Sequence, residues 1–194
     1  MSPRMITAHK ILDFWFADGP NTKRLIWFQS TPEFDAQCAA LCGSLLAPAR
    51  AGAFDRWTAT AEGTLALLLL LDQMPRNIHR GTAAAFASDP KARDVARAAL
   101  ARGVDRQLTQ AQRAFICLPF EHAENLADQT HSVRLFSALI AEPDFPTAER
   151  TRDFVQRHYD VIARFGRFPH RNAALGRVST IAEADYLTRP GAGF

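Results

Sequence analysis

Four stretches of the 194-residue chain place proton-transferring or anion-binding side chains where helical periodicity expects burial. The densest is Arg164-Phe-Gly-Arg-Phe-Pro-His-Arg-Asn172, with three arginines, a histidine and an asparagine in nine residues. Pro169 opens a short helix there. The N–H groups of that helix start would join Arg167, His170, Arg171 and Asn172 around a carboxylate or phosphate. The competing reading stacks these arginines on Phe165 and Phe168 and spends their donors on loop carbonyls.

The second stretch, Leu71 to Gly81, carries Asp72 at the C-terminal end of an apolar helix. The helix dipole disfavours an anion there by a few tenths to ~1 kcal/mol. Arg76 is the cation placed to neutralise it, with Asn77 alongside; a salt bridge pinning the loop is the structural alternative. The third stretch, Leu118 to Asn125, falls on a long helix expected from Pro119 to about Ala141. Projection at 100° per residue aligns His122, Leu126, Gln129, Val133, Phe136 and Ile140, with Glu121, Asn125 and Ser132 on one edge. A buried imidazole must be hydrogen-bonded and can titrate near neutrality, although a structural histidine bonded to Gln129 fits the same pattern. In the fourth stretch His158 shares a face with Phe154, Val161, Ile162 and Phe165.

These spacings suit acid–base chemistry beside an anion site. The proton-transfer candidates are His122, His158 and His170, oriented by Asp72 or Glu121. The ligand-binding candidates are Arg76, Asn77, Gln129, Arg167, Arg171 and Asn172. Glu121, His122, Glu124, Asp128 and His131 look rich in metal ligands but face different sides of a helix, so no metal is expected. No phosphate-binding glycine loop, serine elbow or cysteine–histidine signature occurs, and no cofactor is named by any motif.

Periodicity of 3.6 dominates the elements that must hold these groups, and alternation of period two is almost absent, so the chain reads as all-α. Helices are expected from Thr7 to Trp15, from Thr31-Pro32 to about Ala49, and from Thr60 to Gln73, where Pro75 ends the last. Its run Leu65 to Leu71 is apolar on every side and must sit at the centre of the core. Further helices run from Asp89-Pro90 to Gly103, from the capping box Thr109/Gln112, and from Thr147 to Gly166. A short one covers Pro169 to Leu175, the box Thr180/Glu183 opens the last, and a frayed tail follows from Arg189. No linker or change of composition divides the chain, so one domain over residues 1–194 is expected.

A chain of this length buries roughly 70% of its unfolded surface without staples. The net charge is +3, with no basic stripe, which argues against nucleic acid. Of 23 basic residues only Lys10, Lys23 and Lys91 are lysine, leaving 20 arginines, the side chain that suits planar pairing with carboxylates. Cys38, Cys42 and Cys117 form no framework, the first ten residues hold no apolar signal core, and no run approaches ~20 apolar residues. A cytoplasmic protein with no membrane contact is expected.

The strings Ile11-Leu-Asp-Phe-Trp-Phe16, Leu70-Leu-Asp-Gln-Met-Pro-Arg-Asn77, Pro119-Phe-Glu-His-Ala-Glu124, Arg164 to Asn172 and Leu175-Gly-Arg-Val-Ser-Thr180 carry a resemblance over almost the whole chain. The sequence resembles an uncharacterised bacterial family, domain-of-unknown-function number nine hundred and twenty-four. The resemblance implies about eight or nine helices packed in a tetratricopeptide-repeat-like manner, and no activity. Ile181 stands where the family pattern usually has Pro, which costs the last helix some pre-organisation.

The residues therefore point to a pocket for a small anionic metabolite, binding or catalytic, without fixing whether the protein is an enzyme. The alternative is a helical scaffold that holds a peptide, a partner protein or a second copy in a concave groove. Phe14, Trp15, Phe16, Trp27 and Phe28 would supply its apolar surface, unless they pack the first helix onto the core.

Overall fold

The computed structural model describes residues 7–143, 145 and 148–193, and every regular element among them is helical. α1 (Ala8–Trp15) buries Ile11, Leu12 and Trp15. Trp15 stacks on Trp27 at 6.1 Å and meets Phe115 edge-on at 5.8 Å, so most of the N-terminal aromatics close onto the core. α2 (Pro32–Cys42) starts as its sequence dictates: Pro32 takes the first turn and Thr31 Oγ1 accepts the Phe34 N–H. It stops short of the expected Ala49, tightening through a 3₁₀ turn at Gly43–Leu45 into α3 (Leu46–Arg50).

α4 (Ala61–Leu68) is the centre of the molecule, touched by α1, α6 and α7 and buried without interruption from Gly63 to Asp72. A Cβ at Gly63 would lie 2.2 Å from the Trp57 carbonyl oxygen, so the helix start approaches that turn only because the residue is glycine. Pro75 does not end this element, contrary to expectation. The chain widens into a π turn over Leu69–Gln73 and continues as α5 (Met74–Ile78). Pro75 has no N–H for the Leu71 carbonyl, and Ser88 Oγ donates to that carbonyl instead, at 2.6 Å.

α6 (Asp89–Ala101) is closed by Gly103 at φ +67°, and α7 (Gln110–Glu121) opens with the full Thr109/Gln112 capping box. The single helix expected from Pro119 to Ala141 is instead two. Pro119 lies in the last turns of α7, His122 ends that helix, and Asn125 Oδ1 caps α8 (Leu126–Ile140) by accepting the Asp128 N–H. Leu126, placed by the projection on a buried stripe, is 46% exposed for this reason, whereas Gln129 and Phe136 are buried.

α8 lies between α7 and α9 (Ala148–Phe165). The expected cap Thr147 is outside the described residues. Pro169–Arg171 forms one 3₁₀ turn, and α10 (Ile181–Leu187) starts with its Thr180/Glu183 box complete. The segment expected to fray from Arg189 turns back onto α9: Arg157 donates to the Gly191 carbonyl and Ala192 is buried. No helix among the described residues is long and apolar enough to cross a membrane.

Candidate functional site

A cavity of about 570 Å³ opens where α7 ends, walled by α5, α9 and the 169–171 turn. This volume suits a small organic molecule. His122 sits on its wall as the C-cap of α7, and the widened π turn brings Asp72 up behind it: His122 Nδ1 lies 2.7 Å from Asp72 Oδ1. Asp72 is buried, which alone would raise its pKa, but Arg76 at 3.3 Å and His122 outweigh burial and hold the carboxyl well below the usual range. Burial and Arg76 push the His122 imidazole below its ordinary value, so it is neutral at pH 7. Facing an ionised Asp72, Nδ1 carries the ring proton and Nε2 presents a lone pair.

Glu121 is the opposite case. It lines the cavity with 1% of its surface exposed, and burial, with Asp72 adding repulsion, pushes its carboxyl up to about 8. No hydrogen-bond partner reaches its buried Oε1. His158 Nδ1 is 3.8 Å away and bonds to the Phe154 carbonyl instead, at 2.9 Å. Two adjacent residues thus present a neutral base and a neutral acid to one space. Of the two carboxylates that the sequence offers for orienting a histidine, Asp72 is the one within hydrogen-bond distance of His122.

A family model described as a bacterial protein of unknown function (DUF924) matches residues 11–191. The chain belongs to this family. The solved structure of a protein of unknown function, ATU0120 from Agrobacterium tumefaciens, is similar over 93% of this chain and 96% of that one, at 39% identity and a TM-score of 0.81. Comparison with curated proteins gives no match.

In this DUF924 chain Arg76, Asn77, Arg171, His158 and His170 also reach the cavity wall, but most are already committed. Arg76 forks onto Asp89 at 2.9 and 3.0 Å and donates to the Asp72 carbonyl at 2.7 Å. The Arg171 guanidinium is held between Phe86 and Phe168, 4.6 and 4.4 Å from their ring centres, and donates to the His122 carbonyl. Burial, with Arg76 adding repulsion, lowers it to about 10. Asn77 donates to Ser30 and Asp35, tying the start of α2 and the chain before it to α5. His170 falls to about 4, through burial and then Arg171.

Three candidates do not join them. Arg167 forks its Nε and Nη2 onto Glu183 and donates from Nη2 to the Val178 carbonyl, fastening α10. Asn172 bridges Ser179 and Arg177. Gln129 donates from α8 to the carbonyls of Glu121 and Ala123, 2.6 and 2.8 Å away, and so fixes the α7 end on which the site depends. The expected helix-start anion site at Pro169 is also taken, because Glu124 accepts the Phe168 N–H and both arms of Arg177. In the sequence Glu124 falls among the ligand-rich residues spread around one long expected helix. Projection on an unbroken helix missed this clamp because the chain bends at Ala123.

Sequence reasoning also missed Lys23 and Arg150 at the cavity wall and Asp89 behind it. Lys23 and Arg150 belong to no polar cluster in the sequence. Asp89 was visible only as a helix start.

Proposed function

We propose that the cavity binds a small amphipathic organic anion, with its apolar body inside and its anionic group at Arg150. The observation that carries this reading is the sorting of charge. The inner cations Arg76 and Arg171 are matched by Asp72 and Asp89. Arg150, on the same wall, has no ion-pair or hydrogen-bond partner among the described residues, and its charge adds to burial in lowering the Lys23 ammonium. An anion at Arg150 supplies the missing counter-charge and relieves that repulsion. Phe115, Phe136, Phe145 and Leu118 supply the apolar lining. The anion site thus moves from the arginines of the 164–172 string to a residue outside it.

Calorimetric titration with 4-phenylbutyrate and with the uncharged 4-phenylbutanol tests this. The acid should bind at least tenfold more tightly. Replacing Arg150 with Ala should remove that preference, a difference of about 1.4 kcal/mol or more. Equal binding of acid and alcohol, or an unchanged preference in that variant, would sink the reading. Arg167→Ala should bind 4-phenylbutyrate as the parent does while melting at lower temperature, because its partners are Glu183 and Val178. A tenfold loss of affinity there would return Arg167 to the site.

The same reading places the protein in the cytoplasm. Cys38, Cys42 and Cys117 are buried thiols, each pushed up to about 12 chiefly by burial, and such unpaired cysteines suit a reducing compartment.

A further inference from the structure

We infer that the end of α7 is a hydrolytic centre, in which His122 Nε2 activates water and the Glu121 carboxyl donates to the carbonyl oxygen of an ester that carries a second, anionic end. This rests on the proposed binding of an amphipathic anion and adds a reaction to it.

The first support is the pair itself. A histidine used only as a wall needs no carboxylate behind it, and Asp72 could be neutralised by Arg76 alone. Instead Asp72 takes His122 Nδ1 at 2.7 Å and Gln73 Nε2 at 2.5 Å, fixing ring and tautomer with the lone pair of Nε2 left for chemistry. Asp72 is a positioning residue here and does not meet the substrate. The second is Glu121, a fully buried acid on the cavity wall with an unpartnered Oε1. A ligand oxygen that is neutral at rest and gains negative charge during reaction is what a protonated carboxyl in a cavity wall is suited to meet. The third is what stands near the base. None of the three cysteines lines the cavity, and of its wall hydroxyls Ser30 is bonded to Asp35 and Asn77, while neither Ser30 nor Thr151 is hydrogen-bonded to His122. Water is therefore the nucleophile assigned.

The step balances without a co-reactant other than water. Water oxygen bonds to the ester carbon as His122 Nε2 takes one of its protons, and the carbonyl oxygen develops charge against Glu121 O–H. The bond from carbon to the leaving oxygen then breaks, and His122 returns the proton to that oxygen. An acid and an alcohol leave, and Glu121 ends protonated as it began.

The test uses mono-(4-nitrophenyl) suberate, whose free carboxylate suits Arg150, with suberate as a non-reacting ligand. The full chain should release 4-nitrophenolate above the buffer rate. His122→Gln, which keeps a donor toward Asp72 but has no basic nitrogen, should lose at least a hundredfold in kcat with suberate affinity unchanged. Glu121→Gln should lose tenfold or more, and His79→Ala should be unaffected. The rate of the parent should fall in acid as His122 protonates and again above about pH 8 as Glu121 ionises. The groups around Glu121 in that profile are Asp72, His158 and Cys117, with His122 next to it in the chain. Suberate binding without release of nitrophenolate, or release undiminished in His122→Gln, overturns the hydrolytic inference and leaves the binding reading standing. Absence of suberate binding overturns both.

Discussion

Arg76→Ala should lower the unfolding free energy by about 3–5 kcal/mol, a large part of what a domain of this size possesses. The guanidinium satisfies two carboxylates at once: it forks onto Asp89 and stands 3.3 Å from Asp72, both nearly inaccessible to solvent. Removing it strands two buried anions. His122 and Gln73 still reach Asp72, and Arg171 is 3.5 Å from Asp89, so the loss is softened but not repaired. Arg76→Lys should cost less, since it restores charge without the planar fork. Urea denaturation of the three chains gives the order directly. A loss below about 1 kcal/mol for the alanine variant would mean that water or rearranged side chains replace the arginine, and that the charge sorting described for the cavity is wrong.

How much of this was legible in the sequence depends on the range of the signal. Local rules gave the element starts: Thr31-Pro32, Thr109/Gln112 and Thr180/Glu183 all cap as their spacing dictates, and the leucine run is the core. They failed where a residue has two compatible roles. Pro75 reads as a stop, but a π turn carries the chain past it because Ser88 serves the carbonyl that Pro75 cannot. Pro119 reads as a start, yet it sits inside α7, and Asn125 provides the cap. The helical projection therefore carried across a bend that it could not see. It still marked Gln129 as buried, but for capping α7 rather than for touching a ligand. The arginine-rich string was conspicuous by composition, and composition does not reveal partners. Glu183 and Glu124, distant in sequence, take up Arg167 and the helix start, while Lys23 and Arg150 reach the cavity only through tertiary folding.

Replacing Glu121 by Gln should change the pH dependence of stability more than any other neutral substitution in the cavity wall. In the folded chain this carboxyl keeps its proton up to about pH 8, because burial and Asp72 oppose the charge, whereas in the unfolded chain it ionises near its ordinary value of 4.5. Between those limits the native state binds one more proton than the unfolded state. Stability therefore falls as pH rises through this window, by ~1.4 kcal/mol per unit and roughly 4–5 kcal/mol in all at most. The histidines act in the opposite sense. His122, His158 and His170 are all lowered on folding, so each weakens the native state as pH drops below 6.5. Those terms cancel when parent and variant are compared at the same pH. The stability of Glu121→Gln relative to the parent should thus be constant below about pH 4.5, climb steadily to about pH 8, and level off above it. Chemical denaturation at half-unit pH intervals measures that difference. A flat difference across the window would show that Glu121 is ionised in the folded protein, which would remove the hydrogen-bond donor from the α7 end and the acid partner of His122 with it.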